Sequence, residues 1–335
     1  MKILIVRPFT RTAFELGGYC AKAFVQLGHE VMTFNFRYGH QSFLGKIRVL
    51  SNQMRLMKVI GGFKPKCVLV IKGDKIPLEM IIDIRKKFKI PLANYWIDDP
   101  LWIKISSQLS PFYDYFFTND PRCVEVHQKA GCPNANFLTF GCDPDLHRTV
   151  DLSEDEKKKF GSEVCFTGTM VSQREKTLEA LADFDLKIWW PYAIQYTDED
   201  LKIKKRKIDS SSPLFSRFTG RDVWGEEMVK VFNASEICLN IHSQGGDGTN
   251  MRTFEVVGSG GFLLCEFRKV LSDLFKIGEE IVCFKDASEL KELIKYYLVH
   301  PEERNRIAHR GQERAYKEHT YKHRMEEIAS LLRIL

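Results

Sequence analysis

The sequence of 335 residues has no apolar run near the roughly 20 residues needed to cross a bilayer, so a membrane-spanning helix is not expected. Residues 3–6 are apolar for only four positions before Arg7, too few for a secretion signal. The nine cysteines include no C-x-x-C pair. Cys67, Cys165, Cys238, Cys265 and Cys283 each sit in or beside an apolar run, where a thiol behaves as a small hydrophobe. This pattern excludes a disulfide framework and points to a reducing cytoplasm. Acids are missing between Glu30 and Asp74, and histidine is missing from residues 7–18.

Charge is plentiful, and with 44% hydrophobic residues this argues for a globular chain rather than a disordered one. Its distribution is uneven. Residues 1–150 carry 21 Lys and Arg against 12 Asp and Glu, while the remainder carries 29 against 32. The basic first half is suited to an acidic partner or surface.

The length suggests two domains, and the pattern supplies two series of alternating strands and helices. Strands are expected at 2–6, 31–34, 67–71, 92–96 and 115–118, with helices near 18–27, 78–87 and 121–130. A second series has strands at 164–167, 186–190, 237–241, 262–265 and 281–284, with helices near 174–181, 225–233 and 250–257. The polar stretch 141–159 reads as the boundary, and the chain is helical from Pro301 with a break near His319-Thr320. The expected class is α/β, with two parallel sheets in tandem binding ligand at the carboxyl ends of their strands, in a cleft between domains.

The most informative stretch is Gly245-Gly246-Asp247-Gly248-Thr249-Asn250-Met251-Arg252-Thr253-Phe254-Glu255, which leads into Gly258-Ser259-Gly260-Gly261 and the apolar Phe262-Leu263-Leu264-Cys265. A small-residue turn opening a helix presents backbone N–H groups without internal partners, and the macrodipole favours an anion there. Two carboxylates flanking the spot would repel a phosphate placed directly on them. They suit a neutral, hydroxyl-rich group beside the phosphate, as in a sugar joined to a nucleoside diphosphate. Arg252, a cation just inside a helix start, opposes the macrodipole unless an anion or an acid lies close.

These residues carry a family resemblance. Gly17-Gly18, a helix, and Leu27-Gly28-His29-Glu30-Val31 resemble the opening of many GT-B glycosyltransferases. Glu255-Val256-Val257-Gly258-Ser259-Gly260 resembles the E-x-x-x-x-G region of their donor domain. The Asp247–Glu255 segment and the tail from His300-Pro301-Glu302 through His323-Arg324 are similar to CgeB-like glycosyltransferases. The resemblance covers most of the chain. It implies a GT-B fold of two Rossmann-like domains facing across a cleft: 1–145 on the acceptor side, 146–318 for a nucleotide-sugar donor, and 319–335 packing back on the first. It further implies a retaining, metal-independent sugar transferase without a cofactor. Asp247 would orient sugar hydroxyls, Glu255 would contact the ribose, and Arg252 would face phosphate or an acid. The backbone of Gly248, Thr249, Asn250 and Met251, with Gly168 and Arg174, would hold the diphosphate. Arg221 and Trp224 would border the base, with His242 as a further donor-side candidate.

Each of these residues also has a plainer reading. Arg174 reads equally as a solvated helix residue, Arg252 has the plainer alternative of a surface helix residue, Trp224 that of core packing and His242 that of a satisfied imidazole. Asp98-Asp99-Pro100 ends the strand at 92–96 and reads either as acceptor-side acids or as a capped turn before a helix. With Gly17 and Gly18 these form the acceptor-side set. Two D-x-D triplets, Asp143-Pro144-Asp145 and Asp198-Glu199-Asp200, read as incidental rather than metal-binding, as do His319 and His323. Residues 43–61 place Phe43, Ile47, Leu50, Met54 and Met57 at helical spacing, with Arg48, Arg55 and Lys58 on other faces. Such a helix either packs on its own sheet or lies on the surface of an anionic inner membrane. Rival readings of the whole chain are a nucleotide-sugar epimerase of the same fold and a nucleotide-sugar-binding protein without turnover. The sugar, the base and the acceptor are not written in the sequence.

Overall fold

The computed structural model describes residues 1–8, 11–36, 43–197, 203–243 and 245–333. The chain divides into two compact units. The first comprises Met1–Phe140, Gln244–Gly248 and Tyr321–Leu335; the second comprises Gly141–Ser243 and Thr249–Thr320.

In the first unit, β1 (Lys2–Pro8), β2 (Glu30–Phe36), β3 (Cys67–Ile71), β4 (Leu92–Trp96), β5 (Tyr115–Thr118) and β6 (Ala135–Phe137) form a six-stranded sheet. Every pairing is parallel, in the order β2-β1-β3-β4-β5-β6. Every residue of β3 and β4 is buried, as expected for apolar strands covered on both faces. Helix Phe43–Phe63 turns Leu56, Ile60 and Phe63 into this core at helical spacing. Its opposite face leaves Leu50 and Met54 exposed beside exposed Arg55 and Lys58. Among the described residues no helix is long and apolar enough to cross a membrane. The last helix, Tyr321–Leu331, packs on helix Arg11–Gln26, with the rings of Tyr19 and Tyr321 stacked 5.0 Å apart.

In the second unit, β7 (Val164–Thr167), β8 (Leu186–Trp189), β9 (Ala193–Thr197), β10 (Ile203–Lys207), β11 (Ile237–Asn240), β12 (Leu263–Glu266) and β13 (Val282–Phe284) follow in sequence. Five of them make a parallel sheet in the order β13-β12-β11-β7-β8, and β9 and β10 form a separate antiparallel hairpin. Strand order reverses at β1/β3 in the first sheet and at β7/β11 in the second. In open α/β sheets such switch points place a crevice at the carboxyl ends of the two strands.

The alternation of strands and helices agrees with the pattern read from sequence; several details differ. The first helix begins at Arg11, so Gly17 and Gly18 lie inside it rather than ahead of it. A Cβ at Gly17 would come within 2.7 Å of the Arg7 side chain, so this glycine serves close packing. The polar stretch expected as a boundary contains a helix, Glu154–Phe160, started by a capping box between Ser153 and Glu156. Strand β6 is only three residues long, and β10 is almost wholly charged, so neither has an apolar run to announce it.

Candidate functional site

The switch point of the second sheet is built by two arginines. Arg174, on helix Ser172–Glu179, is buried. Its Nε donates to the carbonyl of Ile241, just beyond β11, at 2.8 Å, and its Nη1 donates to the carbonyl of Thr169, just beyond β7. The guanidinium lies over the Phe166 ring at 5.3 Å. Arg252 donates from Nε to the carbonyl of Thr167, at the end of β7, at 3.2 Å. Both guanidiniums are thus fastened to the strand ends where the order reverses. Burial, and then the neighbouring charge of Arg252, push the Arg174 guanidinium down to about 10. It remains cationic at neutral pH, and two cations held this close favour an anion beside them.

Helix Met251–Gly258 starts beside these cations. Its N-cap residue, Asn250, makes no side-chain capping bond. Instead the Asn250 amide exchanges hydrogen bonds with the Asn240 amide at 3.1 Å in both directions. Asn240 also donates to Thr253 Oγ1 at 3.0 Å, and Thr253 meets Thr249 Oγ1 at 2.6 Å. The end of β11 thereby holds the Asn250 side chain off the helix start, leaving the first-turn N–H groups without a side-chain cap. Apart from Arg252 the helix is buried, so it is anchored in the core and its start cannot drift.

The acids around this point are already paired. Glu255 is 3% exposed and binds Arg252 Nη1 at 2.6 Å. The conflict read from sequence, a cation at a helix start, is resolved by an acid one turn on. Glu255 is therefore the counter-ion of Arg252. Glu266 accepts the N–H of His242 at 2.8 Å and pairs with Arg268 at 3.2 Å. Three guanidiniums face two carboxylates here, and His242 adds no charge.

His242 is buried between Asn250, 3.4 Å from Nδ1, and the Cys265 sulfur, 3.6 Å from Nε2. Burial, with Arg268 and Arg174 close by, pushes its imidazole down to about 3. An unfolded chain takes up the same proton near pH 6.5. Stability from the neutral imidazole is therefore complete above pH ~6.5 and is lost as pH falls from there toward about 3. At pH 5 this group is expected to cost about 2 kcal/mol relative to pH 7.5. Urea midpoints of the wild type and His242→Asn at both pH values check this. The variant should lose that part of the acid sensitivity, and equal sensitivity would show that the imidazole is not held neutral.

Arg221 binds Glu227 through two bonds of 2.7 and 3.2 Å on the surface and lies over Trp189 at 5.3 Å. Its charge is committed to that carboxylate, which raises its pKa. Trp224 donates to Asp222 at 2.7 Å. Gly168, at φ +141°, makes the turn between β7 and the Arg174 helix. Gly248 does not offer its N–H to a ligand: that group donates to Asp120 at 3.2 Å. Asp143 accepts from the Asp145 N–H at 3.3 Å within a local turn, while Asp198 and Asp200 lie outside the described residues. His319 donates toward the carbonyl of Leu274 at 2.8 Å and packs between Phe254 and Phe275. Among the described residues no group of three or more His, Cys, Asp or Glu is placed to hold a metal ion.

In the first unit, Asp98 pairs with Lys72 at 2.5 Å. Asp99 is fully committed inside the fold. It accepts from Ser106 and Thr118, each at 2.7 Å, and meets His127 at 2.8 Å. A carboxylate with three internal partners and 1% exposure ties the turn to its neighbours, and it does not cap the next helix, which starts at Ile103 after Trp102. Sequence reasoning passed over Asn240, Glu266 and Asp120. The signal for Asp120 was present: it follows the strand at 115–118 as Asp98 and Asp99 follow the strand at 92–96.

Comparison with known proteins adds three findings. A model of the family described as glycosyl transferase-like matches residues 173–330. Spore protein CgeB of Bacillus subtilis is 21% identical over 262 residues, covering 76% of this chain and 78% of that protein. Among solved structures, sucrose-phosphate synthase from Thermosynechococcus elongatus superposes with a TM-score of 0.69 over 99% of this chain and 98% of that one, at 11% identity. The chain is similar to CgeB in sequence, and its fold is that of GT-B glycosyltransferases. HepE of Anabaena, crystallised with UDP-glucose, shares the GT-B arrangement of strands at a TM-score of 0.68 and 13% identity, with both chains covered in full. The segment matched by the family model begins one residue before Arg174 and includes Arg252 and Glu255.

Proposed function

We propose that the protein is a glycosyltransferase that moves a sugar from a nucleoside diphosphate to a hydroxyl acceptor. One observation carries the reading: Arg174 and Arg252 converge on the ends of β7 and β11, beside a helix start without a side-chain cap. This is the environment a leaving diphosphate needs. As the bond between the anomeric carbon and the phosphate oxygen breaks, negative charge grows on the diphosphate. The two guanidiniums and the N–H groups leading into the helix, at Thr249, Asn250 and Met251, stabilise that charge. In this reading they do so in place of a divalent cation. Asp247, two residues ahead of Thr249 in the chain, orients the sugar hydroxyls in this reading. Glu255 keeps Arg252 aimed and desolvated. The departing phosphate oxygen accepts the acceptor proton on the same face of the sugar, which retains the anomeric configuration and needs no separate base.

HepE was crystallised with UDP-glucose, so uridine diphosphate sugars are the first donors to test. A thermal-shift screen of nucleotide sugars is expected to raise the melting temperature for one donor class, because ligand at 100 times its Kd stabilises by about 2.7 kcal/mol. With that donor the protein should release nucleoside diphosphate. Asp247→Asn should abolish release while leaving nucleoside diphosphate binding within about threefold, since its role falls on the sugar. Production of an altered nucleotide sugar without nucleotide release would replace transfer with epimerisation. Binding without any turnover would leave a binding protein.

A further inference from the structure

Within the first unit, the glycine-rich loop ahead of helix Met251–Gly258 is held by a buried carboxylate. Asp120 directly follows β5 and Asn119, and it is fully buried. Its Oδ2 accepts the backbone N–H of Asp247 at 2.9 Å and that of Gly248 at 3.2 Å. Its Oδ1 accepts the N–H of Arg122 at 2.9 Å. Arg122 Nε lies 3.6 Å from the Asp120 carboxylate and 3.7 Å from that of Asp247, bridging two acids that would otherwise repel. The glycines make this approach possible. Gly246 has φ +116°, and a Cβ there would overlap Asp120 Oδ2; a Cβ at Gly248 would overlap the Asn119 carbonyl. The N–H groups that make such a loop attractive to an external anion are already held by an internal one.

We propose that Asp120 is a positioning residue for sugar transfer. It fixes the backbone at Asp247 and, through Arg122, the direction of the Asp247 carboxylate. The proposal rests on the reading of Asp247 as the sugar-orienting acid. A buried carboxylate accepting two backbone N–H groups on one oxygen is a charge-assisted clamp. A neutral amide of the same shape loses the charge and sets its NH2 group either against both loop N–H groups or against the N–H of Arg122, donor against donor.

The test uses the full-length protein and the variants Asp120→Asn, Gly246→Ala and Arg122→Ala. Hydrogen exchange reports the clamp without any assumption about activity. The Asp247 and Gly248 amides should exchange at least tenfold faster in Asp120→Asn and Gly246→Ala, as expected for loss of a charge-assisted bond. Donor turnover should show kcat lowered by about 30-fold in both variants and less in Arg122→Ala, because small misplacements of a reacting constellation are costly. The affinity for UDP should stay within about threefold, since the arginines that hold it are untouched. Arg122 is half exposed, so its variant keeps the test open should the buried substitutions fail to fold. Unchanged exchange at 247 and 248 would overturn the clamp. Faster exchange with unchanged kcat would overturn its positioning role. Equal loss of UDP affinity and kcat would make Asp120 a general fold determinant instead. A wild-type protein that protects these amides yet turns over no donor would refute the transferase reading and, with it, the role in transfer, while the clamp itself would stand.

Discussion

Arg174→Ala is expected to weaken nucleoside diphosphate binding by about 100-fold, the loss of a charge-assisted contact worth roughly 1.5–3 kcal/mol. Two effects act together. The anion loses one of its two guanidiniums, and the carbonyls of Ile241 and Thr169 lose the donor that holds the ends of β11 and β7. Arg174→Lys separates them. An ammonium restores charge but cannot reach two carbonyls from a planar fork, so it should recover only part of the affinity. Isothermal titration of UDP against the wild type and both variants checks this. An affinity within about threefold of wild type in Arg174→Ala would remove the diphosphate from this switch point.

Glu255→Ala is expected to destabilise the fold by about 3–5 kcal/mol, the usual cost of leaving one member of a buried ion pair without its partner. Both side chains are shielded, 14% exposed for Arg252 and 3% for Glu255, so solvent screening offers little relief. The guanidinium would keep its bond to the Thr167 carbonyl but stand uncompensated near Arg174. The double variant Arg252→Met with Glu255→Leu should recover most of the stability, since apolar side chains of similar volume replace buried pairs at little cost. It should not recover diphosphate binding. Urea denaturation with UDP titration separates the outcomes. Single and double variants of equal stability would mean that the pair contributes through packing alone.

The two sheets were legible because their strands are short apolar runs bounded by turns, such as Cys67–Ile71 and Ile237–Asn240. Burial on both faces forces that pattern on the sequence wherever the strand is central. Strand β10 escaped notice because Ile203–Lys207 is almost wholly charged, so nothing in its composition reports pairing. Arg174 and Arg252 were readable as candidate phosphate cations because each follows a turn at a helix start. Which acid Arg252 would meet was left open. The answer, Glu255, lies one helical turn away and was already singled out for another role.

What the sequence determined by itself is local: strand–helix alternation, the glycine-rich turn, the helix opening at Met251, and the small set of charged residues near strand ends. These follow from side-chain periodicity and backbone preference over a few residues. What only the tertiary structure decided is which of those charges meet. Arg174 reaches a carbonyl 67 residues on, Arg252 one 85 residues back, and Asp120 the N–H of a residue 127 positions later. No local period encodes such pairings. The two arginine pairings arise because neighbouring parallel strands bring their carboxyl ends together, so the order of strands in the sheet, rather than spacing along the chain, sets those partners.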